Sequence, residues 1–156
     1  MPVHALAGHL VIITAPLATL VALVYAWRPT SRRGMRLPLV VFSVLNAALA
    51  IWAGTAGSAL LGTLRTTAQG AGQTLSPTVL SHAHEGDYLT LSSVVLVVAV
   101  LTVVWWVLAP GREKSAGAIA ASWVLTAAVV AVWWFTGTTL AEALESVWSH
   151  HTLWKT

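Results

Sequence analysis

Four apolar stretches organise the chain: roughly Leu6–Trp27, Leu37–Leu61, Tyr88–Leu108 and Ala116–Thr138. Each has about the 20 residues needed to cross a hydrocarbon core about 30 Å thick. None contains Asp, Glu, Lys or Arg. Lipid offers no water to backbone N–H and C=O groups, so a spanning segment must satisfy them internally, which predicts helices. The expected fold is all-α: a four-transmembrane-helix bundle in a single membrane domain over 1–156. Its helices fall at about 6–27, 37–61, 82–108 and 116–150.

Between the second and third stretches lies the longest connection, about Thr63–Asp87, whose segment 66–73 is polar and flexible in composition. Ser76-Pro77 near its end is a start signal for a short helix running into the third span. The tail Leu140–Trp154 sets Leu140, Leu144, Val147, Trp148 and His151 at helical spacing, with Glu142, Glu145 and Ser149 largely opposite. It reads as an amphipathic helix on the interface or as a continuation of the fourth helix. Pro16 falls inside the first helix and is expected to kink it or be accommodated by neighbours. Ala50, Gly54, Ser58 and Gly62 form a small-residue stripe on the second, suited to close helix approach or to a slot for a flat ligand.

Composition agrees with the pattern. Of 156 residues 57% are hydrophobic and 8% charged, with a mean hydropathy of +0.78. A soluble domain carries about a quarter charged residues. The first residues lack the basic region of a cleavable signal peptide, so the first stretch reads as a retained helix. Arg28, Arg32, Arg33, Arg36, Arg112 and Lys114 flank one side of the spans, against Arg65 and Lys155 on the other. That bias predicts both termini outside. A formal charge of +3 is too small to suggest nucleic-acid binding. Trp27, Trp105, Trp106 and Trp148 fall near expected helix ends, as interfacial anchors do, whereas Trp133 and Trp134 lie deeper or at the outer boundary.

The absence of cysteine excludes disulfides, thiolate metal sites and iron–sulfur ligation. No nucleophile elbow or HExxH motif is present. All six histidines fall on the side expected to be outside: His4, His9, His82, His84, His150 and His151, with Glu85 and Asp87 beside the second pair. Imidazole and carboxylate together suit a transition metal such as copper or zinc, with His4, His9, His82, Glu85 and Asp87 as candidate ligands. Two facing imidazoles suit haem iron, with His9 and His82 or His84 as axial ligands and His4 nearby. His4 and His9 lie about 140° apart around a helix, so they cannot share a face. His9, about one turn into the span, needs a polar partner, expected from His82, His84, Glu85 or Asp87. Solvated surface histidines or a proton-linked role are the alternatives.

Several landmarks in order resemble a known family: Pro2-Val3-His4, then His9 and Pro16; Trp27-Arg28-Pro29 with Arg32-Arg33 and Leu37-Pro38-Leu39; Ala56-Gly57; and His82 followed by Gly86-Asp87. Together, through about Leu108, they resemble a bacterial membrane family catalogued as domain of unknown function 2231, in its actinobacterial form. The departures are Ser58 and His84, where acidic residues are common in that family. The resemblance implies a four-helix membrane domain elsewhere fused to Rieske or c-type cytochrome modules, hence a redox setting with haem b as cofactor. His4, His9, His82 and Asp87 match its polar landmarks.

Three readings follow. One is a redox-associated protein that binds haem b or a transition metal for electron transfer, without independent catalysis. Another is a non-catalytic accessory subunit of a larger respiratory complex. The third, a transporter, lacks a buried charge or broken helix. Expected partners are the bilayer, a redox membrane complex or further copies of the chain.

Overall fold

A computed structural model describes residues 3–111 and 115–148, with side chains through 145. His150, His151, Arg112, Lys114 and the end of the tail lie outside the described residues. Four helices make up the fold: α1 (Val3–Trp27), α2 (Arg32–Gly70), α3 (Pro77–Thr102, prolonged by a π-helical turn over Val103–Val107) and α4 (Ala116–Trp148). All four are long and apolar enough to cross a membrane. Each packs on its neighbours in sequence, and α4 closes the ring against α1.

The helices are longer than the apolar stretches. Segment 28–36, expected as a loop, is a 3-10 turn at Pro29–Ser31 followed directly by α2. The expected polar connection shrinks because α2 continues to Gly70 and α3 starts at Pro77. Between them Gln73 N–H reaches Ala68 O at 2.8 Å and Gly72 N–H reaches Gln69 O at 3.0 Å. That is a Schellman ending, with Gly72 at φ +66 in the left-handed conformation the motif requires. Pro77, whose missing N–H costs nothing at a first helical position, starts α3. α4 runs unbroken to Trp148, so the first part of the tail, from Leu140 to Trp148, continues that helix. Pro16 is accommodated within a continuous α1.

Lipid-facing helices need few buried positions, and α1 shows the pattern plainly. Ala7, Val11, Thr14, Ala15, Ala18, Thr19, Ala22, Tyr25 and Ala26 form one buried stripe at helical spacing, made mostly of small residues. Small side chains let helix backbones approach, and packing, not the hydrophobic effect, joins helices in lipid.

Polar residues tie the bundle at three levels. Midway along α1, Thr14 Oγ1 donates to Asn46 Oδ1 at 3.1 Å, and Asn46 Nδ2 donates to Ser93 Oγ at 3.1 Å. Asn46 and Ser93 are completely buried, so this chain joins α1, α2 and α3 at the bundle centre. At one end Tyr25 OH donates to Leu108 O, and Ser122 Oγ to Ala26 O, both at 3.0 Å. There buried Arg32 donates to Tyr25 O at 3.2 Å and Ala26 O at 3.1 Å, capping the carbonyl end of α1 with a cation. At the other end stand the histidines. With a rise of 1.5 Å per residue, the His4 and Tyr25 levels lie about 15 Å and about 16 Å from Thr14 on opposite sides. Both fall near the edges of a hydrocarbon core about 30 Å thick.

The tryptophans divide accordingly. Trp27 stacks edge-on to Trp123 at 5.1 Å near the arginine end. Trp133 lies deeper and donates from Nε1 to Thr19 Oγ1 at 2.6 Å, a tie within the span.

Asn46→Ala removes both central side-chain bonds. Interhelical hydrogen bonds in membranes are modest in strength. The variant is therefore expected to lose about 1–2 kcal/mol, including the small void left behind. Reversible unfolding in mixed micelles with rising dodecyl sulfate checks this. An unchanged midpoint would show that the chain Thr14–Asn46–Ser93 does not stabilise the bundle.

A candidate histidine site at the mouth of the bundle

The histidine end is open because α1 is the shortest helix. It begins at Val3, level with Gly57 of α2, while α2 continues for 13 further residues, or about 20 Å. Among the described residues, α2, α3 and α4 reach beyond the start of α1. The outer parts of α3 and α4 are joined by a ladder: Ser81 Oγ donates to Glu142 Oε1 at 2.7 Å, Thr138 Oγ1 to Glu85 Oε2 at 2.7 Å, and Tyr88 stacks on Phe135 at 5.3 Å. This ladder holds α3 and α4 together from the level of His82 inward, alongside the first turns of α1.

A cavity of about 470 Å³ opens there, lined by all four helices and mostly apolar. His4, His82 and Thr139 are among its polar residues, with Gly57 beside them. His4 Nδ1 lies 2.9 Å from Ala53 O. A carbonyl oxygen only accepts, so this nitrogen carries a proton, and in the neutral form of the ring the lone pair is on Nε2. The ring packs on Gly57, where a Cβ would come within 3.0 Å of two of its atoms. Glycine is thus what lets this imidazole lie flat on α2.

His82 meets the His4 ring edge to face, with centroids 5.9 Å apart and an interplanar angle of 78°. Its Nδ1 is buried and has no hydrogen-bond partner among the described residues. Thr139 Oγ1, also lining the cavity, is likewise buried and unpartnered. The backbone of Thr139, the Glu142 carboxylate and the His4 ring are the polar groups around His82. A buried polar atom without a partner costs free energy, and both of these belong to residues of one cavity wall.

The other candidates are placed differently. His9 is exposed, and its Nδ1 bonds Ala5 O of its own helix at 2.6 Å, so the partner expected from α3 is replaced by a local carbonyl. It lines the cavity rim. Thus His4, and not His9, stands beside the helix-3 histidine. His84 is exposed and packs its ring on Tyr88 at 4.8 Å. Glu85 is held by Thr138, and Asp87 is exposed on the rim. The five-residue metal set His4, His9, His82, Glu85 and Asp87 is not assembled: among the described residues no three such side chains gather as metal ligands.

The small-residue stripe divides between close helix packing and the wall of the cavity. Its lower half packs: a Cβ on Gly54 would meet Thr90 Oγ1 at 3.2 Å, and Thr90 bonds Ala50 O at 3.2 Å. Ser58, higher up, is exposed and lines the cavity, and Gly62 faces open space. Thr139 and the Ala53 carbonyl were not foreseen, since neither stands out by residue type or spacing.

Gly57→Ala must push the His4 ring off the Ala53 carbonyl. Overpacking of this kind costs about 1–3 kcal/mol. A shifted His4 imidazole resonance and a lower unfolding midpoint are expected, with Gly62→Ala as the unchanged control. An unmoved His4 signal in Gly57→Ala would remove glycine from the account of the site.

Comparison with protein-family models, with curated proteins and with solved structures finds no match to this chain.

Proposed function

We propose that this chain is an integral protein of a bacterial plasma membrane, with its termini outside, that holds haem b at its histidine end for electron transfer. His4 and His82 are the axial ligands in this reading. The observation that carries it is the state of His4. A ligating imidazole donates its second nitrogen to a carbonyl or carboxylate, which fixes the tautomer and aims the free nitrogen. His4 does this through Nδ1 and the Ala53 carbonyl.

The number of nitrogen donors favours haem over a bare ion. Zinc and copper sites commonly want three or four protein ligands. Haem iron takes one or two axial ligands from the protein. Two imidazoles on one metal atom, with bonds of about 2 Å each, bring ring centres to roughly 6 Å. The observed separation is 5.9 Å with the rings edge to face, so they would have to turn, without moving apart, for both to hold one iron. The mostly apolar lining and small residues such as Gly8, Gly54 and Ser58 suit a flat hydrophobic macrocycle. Bound haem would supply one-electron chemistry, tuned by axial ligand identity and burial. His4 and His82 hold and orient it, and Thr139 offers a hydroxyl to its surroundings. The redox setting is supported by the resemblance to the family whose members carry Rieske or cytochrome modules.

The test is an absorption spectrum of the protein purified from membranes, before and after dithionite. A Soret band that shifts on reduction is expected. It should vanish in His4→Ala and His82→Ala and persist in His9→Ala. Added imidazole should restore it in His4→Gly, which separates a lost ligand from a misfolded chain. Colourless protein from haem-replete cells would end the haem reading, and a band lost only in His9→Ala would end this ligand assignment.

A further inference from the structure

The arginine end carries four guanidinium groups within nine residues, and they are not equivalent. Arg32 is buried and committed to the carbonyls of Tyr25 and Ala26. Arg28 and Arg33 are exposed. Arg36 is half-buried, with its Cζ 3.7 Å from the centre of the Trp105 ring. Trp105 belongs to the π-helical turn that ends α3, closed by Leu108 N–H to Val103 O at 2.8 Å. Such a turn inserts one extra residue per turn and so re-aims the side chains that follow. Here the indole becomes a platform under a guanidinium from α2.

Arg36 Nε is buried on that platform with no hydrogen-bond partner. Among the described residues no carboxylate pairs with Arg28, Arg33 or Arg36. Arg33 and Arg36 are three apart and share one side of α2. Next to them Leu37 is 71% exposed and Trp105 55%, a surface facing the bilayer. A planar fork of donors fixed on an aromatic face, at the edge of the hydrocarbon core and beside exposed apolar side chains, matches an amphipathic anion. Its phosphate would meet Arg36 and Arg33, and its acyl chains would lie along Leu37.

We infer that the surface where the first turns of α2 meet the π-turn of α3 binds the phosphate headgroup of an anionic phospholipid, with Arg36 on Trp105 as its seat. This stands apart from the haem reading, at the opposite end of the bundle. It also differs from general attraction of basic loops to an anionic leaflet. That attraction depends on the number of charges and is indifferent to Trp105.

The experiment uses the full chain in mixed micelles containing phosphatidylglycerol or phosphatidylcholine with the same acyl chains, or inorganic phosphate without added lipid. Thermal unfolding and native mass spectrometry are the readouts. Phosphatidylglycerol should raise the midpoint and remain bound. Trp105→Leu, which changes no charge, should weaken this binding at least as much as Arg28→Gln. The latter should lose about fivefold, the worth of one basic residue near an anionic surface. Arg36→Lys, which keeps the charge but loses the planar fork, should weaken it too, and serves if Trp105→Leu does not fold. Equal losses for Arg28→Gln, Arg33→Gln and Arg36→Gln, with Trp105→Leu and Arg36→Lys unchanged, would overturn the seat in favour of diffuse attraction. An equal rise with inorganic phosphate alone would overturn the lipid as occupant.

Discussion

A bundle in lipid must satisfy its polar groups from within, and this requirement shapes nearly every feature of the chain. Hydrocarbon exerts no hydrophobic pressure to hold helices together, and it charges heavily for any polar atom left without a partner. The buried stripe of α1 is therefore mostly alanine, with Thr14, Thr19 and Tyr25 at the points where a neighbour must be held. Each of those three reaches a defined acceptor or donor on another helix: Asn46, Trp133 and the Leu108 carbonyl. The polar contacts fall into a central layer and two boundary layers. Small-residue packing brings the backbones close enough for short side chains to bridge between them.

The two boundary layers solve opposite problems. At the arginine end the carbonyl terminus of α1 is covered by Arg32 and Ser122, and Tyr25 is locked to α3. That end is closed by the chain itself. At the histidine end the four helices leave a cavity between them, with α1 contributing His4, Gly8 and Ile12 to its wall. The Ser81–Glu142 and Glu85–Thr138 bonds join α3 to α4 there. Two buried polar atoms without partners among the described residues, on His82 and Thr139, belong to this wall.

Much of this was legible in the residues, and the limits have physical causes. Apolar runs mark where lipid is, so they set the spans but not the helix ends. A helix continues beyond the bilayer as long as its backbone bonds are unbroken, and the polar segment 62–70 is compatible with helix, as the length of α2 shows. The glycine that ends it, Gly72, is one among 11 in the chain, and nothing local distinguishes it. The histidines were visible as a group, yet which two would meet depended on the rotation of α1. The buried stripe of α1 turns His4 toward α2 and α3 and leaves His9 exposed. The central layer escaped notice because Thr14, Asn46 and Ser93 are uncharged and sit singly in apolar runs, where their alignment depends on helix register. Glu85 and Asp87 were read as ligands by proximity in sequence, but a rise of two residues turns the side chain about 200° around a helix. One carboxylate therefore faces α4 and the other the rim.

The same geometry explains why His4, near the start of the chain, can be a precise element. A first turn usually frays, since its leading N–H groups lack partners within the helix. Here the ring of His4 is fixed from outside its own helix by the Ala53 carbonyl on one edge, by Gly57 beneath and by His82 against its face. Those contacts come from two other helices, so the first turn of α1 is held by the site as much as the site is held by α1. Filling the cavity with a ligand on His4 and His82 would join α1 to α3 through the ligand itself. Occupancy and the ordering of the first turn would then be one equilibrium, with binding and helix docking reinforcing each other.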